Sequence, residues 1–123
     1  MDDDRVWSME EGLWRATDEA YRELVDPDCV MALGHAPHLF AGDAAIEAVR
    51  GTPEWDEVVL SGRSVSRPEE GLIVLGYRVR AEKGGTLFTA ACTSVYRRKG
   101  HEKNWSVVQH AQVPTEPDGK GRA

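Results

Sequence analysis

The fold is read most directly from the last strand of the chain, which runs Asn104-Trp105-Ser106-Val107-Val108-Gln109-His110-Ala111-Gln112-Val113-Pro114. This strand follows another, Phe88 to Arg98, and both are half apolar and half polar. An amphipathic helix opens the chain, and the strands come at its end. That order predicts a curved sheet wrapped around a helix, a shape that leaves a pocket.

Length and composition indicate a single soluble globular domain. The 123 residues suit one domain, and the net charge of −6 argues against a nucleic-acid partner. No apolar run approaches the roughly 20 residues that a membrane span requires. The acidic start, Met1 to Arg5, lacks the apolar core of a secretion signal, so we expect a cytoplasmic protein. We expect the domain to cover residues 8–114, between a flexible acidic segment 1–7 and a flexible tail 115–123.

Two helices are predicted before the strands. Ser8, with Glu11 three residues later, has the pattern of a capping box, and the helix should run to about Val25. Its core-facing stripe would consist of Met9, Leu13, Ala16, Thr17, Ala20 and Leu24.

Local signals mark the helix ends. Asp26-Pro27-Asp28 should stop the first helix, because proline disfavours helical geometry in the residue before it. The second helix should run from Ala44 to Val49, with Asp43 as its N-cap and Gly51 at its end. Thr52-Pro53-Glu54-Trp55 could start one more helical turn.

The rest of the chain consists of strands. After a short strand at Cys29 to Leu33, the pattern predicts four long strands joined by short turns, which should pair antiparallel. These run from Glu57 to Arg67, Leu72 to Glu82, Thr86 to Arg98 and Asn104 to Val113. The two cysteines, Cys29 and Cys92, lie among apolar neighbours in strands and are expected to be buried thiols.

The turn at Gly84-Gly85 decides which side chains face the helix. Alternation in the strand from Leu72 directs Tyr77 inward, along with Ile73, Leu75, Val79 and Ala81. A two-residue turn, which needs positive φ at both positions, pairs Tyr77 with Cys92 and turns Phe88, Ala90, Ser94 and Tyr96 inward. A three-residue loop would instead turn Leu87, Thr89, Ala91, Thr93 and Val95 inward. Turn chemistry favours the first register.

Several pieces of the chain resemble the nuclear transport factor 2-like superfamily, also called cystatin-like α+β cones, and within it the ketosteroid-isomerase-like and SnoaL-like branch of small bacterial proteins. The resemblance covers about Glu10 to Pro114. It rests on Trp14 in the opening helix, Gly42-Asp43 before the second helix, the segment Thr93-Ser94-Val95-Tyr96-Arg97, and the spacing of Trp105, His110 and Pro114. Where many relatives end in His-Gln-Gln-Thr-Pro, this chain has His110-Ala111-Gln112-Val113-Pro114.

The resemblance implies a strongly curved antiparallel sheet wrapped around N-terminal helices, with an interior pocket for small, often apolar molecules. Some members of the superfamily are isomerases, cyclases, dehydratases or hydrolases, and others bind ligands or partners without chemistry. It also implies a homodimer through the convex face of the sheet. The isomerases place their key carboxylates on strands, and no acidic residue lies mid-strand on the apolar face here, which counts against their known route.

Four residues are predicted to line the pocket: Trp14, Tyr77, Tyr96 and His110. His110 could hold a ligand or act as a general base, and it could equally be a structural or interface histidine. Asp18, one turn after Trp14, is a second candidate base, although it belongs to a polar run. The tyrosines could donate to a ligand carbonyl or simply satisfy their hydroxyls in the core.

No cofactor is expected, because the chain has no glycine-rich phosphate loop and no nucleotide fingerprint. His35 and His38 have a His-x-x-His spacing, but a zinc site would need a third protein ligand.

Three functions remain open at this point. The first is a pocket for a small apolar or amphipathic molecule. The second is an enzyme with His110 or Asp18 as base and Tyr77 or Tyr96 as oxyanion donor, which requires both kinds of group in one cavity. The third is a partner-binding domain without a usable cavity.

Overall fold

The computed structural model describes residues 1–15, 23–100 and 104–116 of the chain. Within these residues it has two helices and six strands. In chain order they are α1 (Asp3–Arg15), β1 (Val25–Ala32), β2 (Leu39–Ala41), α2 (Asp43–Arg50), β3 (Glu57–Glu69), β4 (Leu72–Lys83), β5 (Thr86–Lys99) and β6 (Asn104–Pro114).

The strands form one curved sheet in the order β2-β1-β6-β5-β4-β3, which does not close on itself. The pairings β3–β4, β4–β5 and β5–β6 are antiparallel, as predicted, and so is β1–β2. The pairing of β1 with β6 is parallel, with Met31 opposite His110, so the sheet is mixed. Register shifts at Ser61/Ser64 in β3 and at Val95/Tyr96 in β5 mark irregularities of the kind that bend strands. The α+β class with a curved sheet is therefore confirmed.

The predicted register of β4 and β5 is correct. Lys83 pairs with Thr86 across a two-residue turn, and Tyr77 pairs with Cys92. Gly84 and Gly85 have φ of 54° and 85°, the left-handed values that this turn requires. The inward set is buried as expected except for Phe88, which is partly buried, and Tyr77 and Tyr96 expose 4% and 0% of their surface.

Helix α1 begins at Asp3, five residues before the predicted Ser8. Asp2 Oδ1 accepts the backbone N–H of Arg5 at 2.8 Å, so Asp2 caps the helix and Ser8 lies inside it. The expected flexible segment 1–7 is thus partly helical, and Val6 and Trp7 are buried. The core-facing stripe consists of Val6, Trp7, Glu10, Leu13 and Trp14. Residues 16–22 of the predicted helix lie outside the described part of the chain, and its predicted end at about Val25 falls in strand β1.

Strand β1 begins at Val25, so the predicted helix stop Asp26-Pro27-Asp28 lies inside a strand. The proline is tolerated because the pairing with β6 is interrupted between Val25 and Val30. Asp26 is 1% exposed, and its carboxylate accepts hydrogen bonds from Arg97 and Ser106, each at 2.9 Å. These partners lie on distant strands and could not be read from the local sequence.

Three further local predictions need correction. Helix α2 has Gly42 at its N-cap position and no side-chain cap, so Asp43 is the first helical residue rather than the cap. Residues 52–55 form no helical turn. The sequence predicts no element at residues 39–41, where strand β2 pairs Phe40 with Met31. Among the described residues, no helix is long and apolar enough to cross a membrane.

Candidate functional site

A cavity of about 280 Å³ lies between the two helices and the inner face of the sheet. Its walls are mostly apolar, and they include Leu13 and Trp14 of α1, Met31 of β1 and Phe88 of β5. The cavity therefore has the character of a small-molecule pocket, in which a few polar groups fix orientation. The polar side chains that line it within the described residues are His35, Thr52, His110 and Gln112, with the indole of Trp55.

Four rings follow one another along the cavity wall. The ring of Trp55 stacks on Phe88 with centroids 6.3 Å apart and an angle of 22°. Phe88 is 6.1 Å from Trp14, and the edge-on contact of Trp14 with His110 has a centroid distance of 6.0 Å. Such contacts stabilise a fixed arrangement of rings. The wall thus offers flat apolar surfaces and ends at an imidazole.

A buried carboxylate lies behind that imidazole. Glu10 of α1 is 0% exposed, because its helical position places it among Val6, Trp7 and Leu13 on the core-facing side. Its Oε1 accepts a hydrogen bond from the Tyr96 hydroxyl at 2.9 Å, and its Oε2 accepts one from the Tyr77 hydroxyl. Three hydroxyls satisfy the carboxylate in all, since Ser94 also donates to Oε2, at 2.6 Å.

These contacts shift the pKa values of Glu10, Tyr77 and Tyr96. Burial acts to raise the pKa of Glu10, but hydrogen bonds from His110, Ser94 and Tyr77 outweigh burial and leave that pKa lowered. Burial and the neighbouring Glu10 carboxylate both raise the pKa of Tyr77 and of Tyr96. The carboxylate is therefore ionised near neutral pH, and both phenols keep their protons.

His110 of β6 connects this carboxylate to the cavity. Its Nδ1 is 2.7 Å from Ser94 Oγ and 3.4 Å from Glu10 Oε2. On its other side, Nε2 is 3.2 Å from the Gln112 amide nitrogen, while the Gln112 Oε1 accepts the backbone N–H of Gly34 at 3.2 Å. A continuous chain of hydrogen bonds thus runs from the loop after β1, across the cavity, to the centre of the core.

The four predicted pocket residues fall into two groups. Trp14 and His110 line the cavity. Tyr77 and Tyr96 do not, because their hydroxyls donate to Glu10 behind the cavity wall. Tyr77 also accepts the indole N–H of Trp14 at 2.9 Å, so it positions a cavity residue without facing the cavity. Asp18, the other predicted base, lies outside the described residues.

This placement removes one version of the enzyme hypothesis. That version requires a titratable base and a phenol in the same cavity, and the cavity holds His110 without either tyrosine. The phenols are also committed to an ionised carboxylate, which leaves them no proton to offer a ligand. Any acid–base role for His110 must therefore be supported by Glu10 and Ser94 rather than by an adjacent oxyanion donor.

Sequence reasoning missed Glu10, Ser94 and Gln112 as site residues. A signal for Glu10 was present, because it shares a helical face with Val6, Trp7 and Trp14 at spacings of three and four residues. The predicted capping box, with Ser8 as N-cap, instead assigned this segment to the first turn of the helix. Ser94 was correctly placed on the inner face, but only the fold shows that it meets Glu10, 84 residues away.

The other residues considered from the sequence, two histidines and two cysteines, do not take part in the hydrogen bonds between Gly34 and Glu10. His35 lines the cavity and its ring is 5.4 Å from Phe40, whereas the His38 Nδ1 lies 3.1 Å from the Leu33 carbonyl. Within the described part of the chain, no three potential metal ligands form a cluster. Cys29 and Cys92 are buried free thiols, and burial, with nearby carboxylates, raises the pKa of each to about 12.

Comparison with solved structures agrees with the architecture described above. A provisionally assigned ketosteroid isomerase from Parabacteroides distasonis superposes with a TM-score of 0.76 over 91% of this chain and 86% of its own, at 22% sequence identity. The protein has the nuclear transport factor 2-like fold. An NTF2-like protein of unknown function in nutrient uptake from Rhodospirillum rubrum has a TM-score of 0.74, with 17% identity over 94% of this chain and 100% of its own.

The same fold also occurs in the CaMKII hub homology domain of a Chlamydomonas, with a TM-score of 0.68, 17% identity, and coverage of 91% of this chain and 94% of that one. No protein-family model matches the chain, and no curated protein matches it in sequence. The similar structures thus differ in what their names describe, and the fold alone assigns no activity.

Proposed function

We propose that the protein binds a small apolar or amphipathic molecule in the cavity beside Trp14 and His110. The observation that carries the proposal is the contrast between the apolar wall of rings and the polar pair of His110 and Gln112 at its end. A ligand would bury its apolar body against Trp14 and Phe88 and direct a polar group toward His110. Tyr77 and Tyr96 support this site indirectly, because they hold Glu10 against the histidine.

Naphthalene binding tests the proposal. Ala48 lines the cavity from α2, so Ala48→Phe should fill part of it and weaken binding at least about tenfold, the effect of losing roughly 1.4 kcal/mol. Ala44 is exposed on the same helix, so Ala44→Phe is the matched control and should bind as the wild type does. Isothermal titration gives the affinities, and circular dichroism confirms that both variants fold. Absence of saturable binding to the wild type, or equal binding by both variants, contradicts the proposal.

A second candidate is proton transfer by His110, because Glu10 and Ser94 orient its Nδ1 side in the way a buried carboxylate orients a catalytic histidine. In this case the protein would accelerate exchange of the α-protons of a small cyclic ketone with D₂O. The exchange rate, followed by proton NMR, should fall to the background rate in His110→Gln. An unaccelerated exchange in the wild type excludes this activity for that substrate class.

We also propose that the convex face of the sheet forms a homodimer. Paired outer-face positions carry apolar side chains, with Val74 opposite Val95 and Ala91 opposite Val113, which is 63% exposed. Light scattering at micromolar concentration should give twice the monomer mass, and Val95→Glu should give the monomer mass. A wild-type monomer contradicts the proposal.

A cytoplasmic location stays a prediction, and cell fractionation tests it.

A further inference from the structure

Hydrogen bonds link Glu10, at the inner end, through Ser94, His110 and Gln112 to Gly34, at the outer end. The donor and the acceptor of each bond can be assigned starting from either end. At the inner end, the hydroxyls of Tyr77, Tyr96 and Ser94 all donate to the Glu10 carboxylate, which accepts all three hydrogen bonds and carries no proton. The hydroxyl of Ser94 therefore donates to Glu10 Oε2 at 2.6 Å, and its oxygen is left to accept a hydrogen bond. The partner at 2.7 Å is His110 Nδ1, which must then carry a proton.

The outer end gives an independent answer. The backbone N–H of Gly34 needs an acceptor, and Gln112 Oε1 lies 3.2 Å from it. With its oxygen directed to Gly34, Gln112 presents its NH₂ group to His110 Nε2 at 3.2 Å. If the Gln112 amide were reversed, its NH₂ group would face the N–H of Gly34, and both groups are donors. If His110 Nε2 carried a proton, it would face the NH₂ group of Gln112, which is again a contact between two donors.

Packing holds the outer end in place. A Cβ at position 34 would lie 3.1 Å from Pro114 Cγ and 3.4 Å from the ring of Phe88, so a side chain there would require these neighbours to shift by a few tenths of an ångström, and glycine lets the loop lie close to the cavity wall without that shift. The N–H of Gly34 is therefore fixed where it selects the orientation of the Gln112 amide.

The contacts at both ends assign the same arrangement to the imidazole, with its proton on Nδ1 and its lone pair on Nε2. We infer that the polar end of the cavity accepts a hydrogen bond, so that the ligand carries a hydroxyl or N–H donor that replaces the Gln112 amide on His110 Nε2. This inference rests on the proposed binding function and names the ligand class for the same site. Gln112 is half-buried at the cavity edge, so its side chain can turn aside, whereas His110 is 3% exposed and packed against Trp14.

The ligand class follows from the chemistry of that lone pair. A ketone, an ether or a carboxylate would place its own lone pairs against Nε2 and would leave the Gln112 amide where it is. An alcohol, a phenol or an amine N–H restores the hydrogen bond that the displaced amide gives up. The cavity should therefore discriminate between molecules of the same shape that differ only in a donor hydrogen.

Three probes of nearly the same shape test the inference by isothermal titration: 2-naphthol, 2-methoxynaphthalene and naphthalene. The wild type should bind 2-naphthol about five- to tenfold more tightly than either other probe, the usual worth of one net hydrogen bond. Gln109 lies on the same strand as Gln112 but pairs with Val95 and does not line the cavity, so Gln109→Leu is the matched control and should keep the wild-type preference. In Gln112→Leu, which removes the competing amide, the preference for 2-naphthol should increase.

Nitrogen-15 NMR of the histidine side chains tests the tautomer without any substitution that could affect folding. Nδ1 of His110 should be protonated and Nε2 unprotonated, and 2-naphthol, but not naphthalene, should shift the Nε2 signal. A protonated Nε2, or equal affinity for 2-naphthol and its methyl ether, overturns the inference while leaving the binding function intact. If none of the three probes binds, the proposed function itself fails.

Discussion

At the scale of single residues, Glu10 is the group on which the site depends. It has no exposed surface, and its carboxylate is held by hydroxyls from two strands, β4 and β5. A buried charge of this kind is stable only while its partners remain in place. The helix, the sheet and His110 therefore meet at one carboxylate.

Replacing that carboxylate with an amide should destabilise the protein. In Glu10→Gln the volume is kept, but the charge is lost and an NH₂ group faces hydroxyl donors, so the free energy of unfolding should fall by about 3 kcal/mol. Urea denaturation measures the change. Glu11→Gln is the control, because the contact that Glu11 makes within the described residues is a half-exposed ion pair with Arg15 at 3.6 Å, and its loss should cost less than about 0.5 kcal/mol. Similar losses in both variants would contradict the role assigned to Glu10.

The sequence predicted part of this residue-scale arrangement. The alternation of residues along β4 and β5 correctly predicted that Tyr77 and Tyr96 point inward, because a strand directs successive side chains to opposite faces. It could not show that both hydroxyls meet a glutamate, since Glu10 is 67 residues from Tyr77 and 86 from Tyr96. Contacts between distant segments are set by the tertiary fold and leave no local pattern.

At the scale of elements, the turn between β4 and β5 sets the register on which the inner face depends. Gly84 and Gly85 both have positive φ, and a Cβ added to either would have no atom within 4 Å. A side chain at either position would therefore destabilise the protein only by straining the backbone of the turn. A shift of one residue would turn Cys92, Ser94 and Tyr96 outward and remove two of the hydroxyl donors to Glu10.

Gly85→Ala should lower the free energy of unfolding by about 1 kcal/mol, because alanine is strained at a φ of 85°. The matched control is Gly76→Ala in the middle of β4. Gly76 is not at positive φ and also has no atom within 4 Å of an added Cβ, so alanine should be neutral or slightly stabilising there. Urea denaturation of both variants gives the comparison. An equal effect at the two positions would show that backbone strain does not govern the turn.

Element boundaries were predicted well where the signal is local and poorly where it is not. The starts of β3, β4, β5 and β6 were correct, since turn residues and alternation mark them. The start of α1 and the start of β1 were wrong, because Val6 and Asp26 owe their places to burial against other elements. The parallel pairing of β1 with β6 has no sequence signal of its own.

At the scale of the whole molecule, two buried carboxylates link stability to pH. Burial acts to raise the pKa of Asp26, but hydrogen bonds from the Asp28 N–H, Arg97, Ser106 and Lys99 outweigh it and leave that pKa well below its usual range. The pKa of Glu10 is lowered as well. A carboxyl whose folded pKa is lowered stabilises the protein fully above its unfolded pKa, about 4, and loses that contribution as the pH falls toward the folded value.

The free energy of unfolding of the wild type should therefore fall as the pH is lowered through about 4 and below. Asp26→Asn should be less stable at neutral pH by about 2 kcal/mol, because it leaves Arg97 and Lys99 without their carboxylate. Its loss of stability below about pH 4 should be smaller than that of the wild type. Urea denaturation between neutral pH and pH 3 measures both effects, and parallel pH profiles for the two proteins would exclude Asp26 as a contributor.

The parallel β1–β6 contact has a consequence for the order of folding. Strands β3 to β6 follow one another in the chain and can pair with little loss of chain entropy, whereas the contact of Gly34 with Gln112 closes a span of 78 residues. We therefore expect the meander to assemble first and the first strand to dock late. Because that docking supplies Gly34 and Met31 to the cavity, the ability to recognise a ligand should emerge only in the final stage of folding.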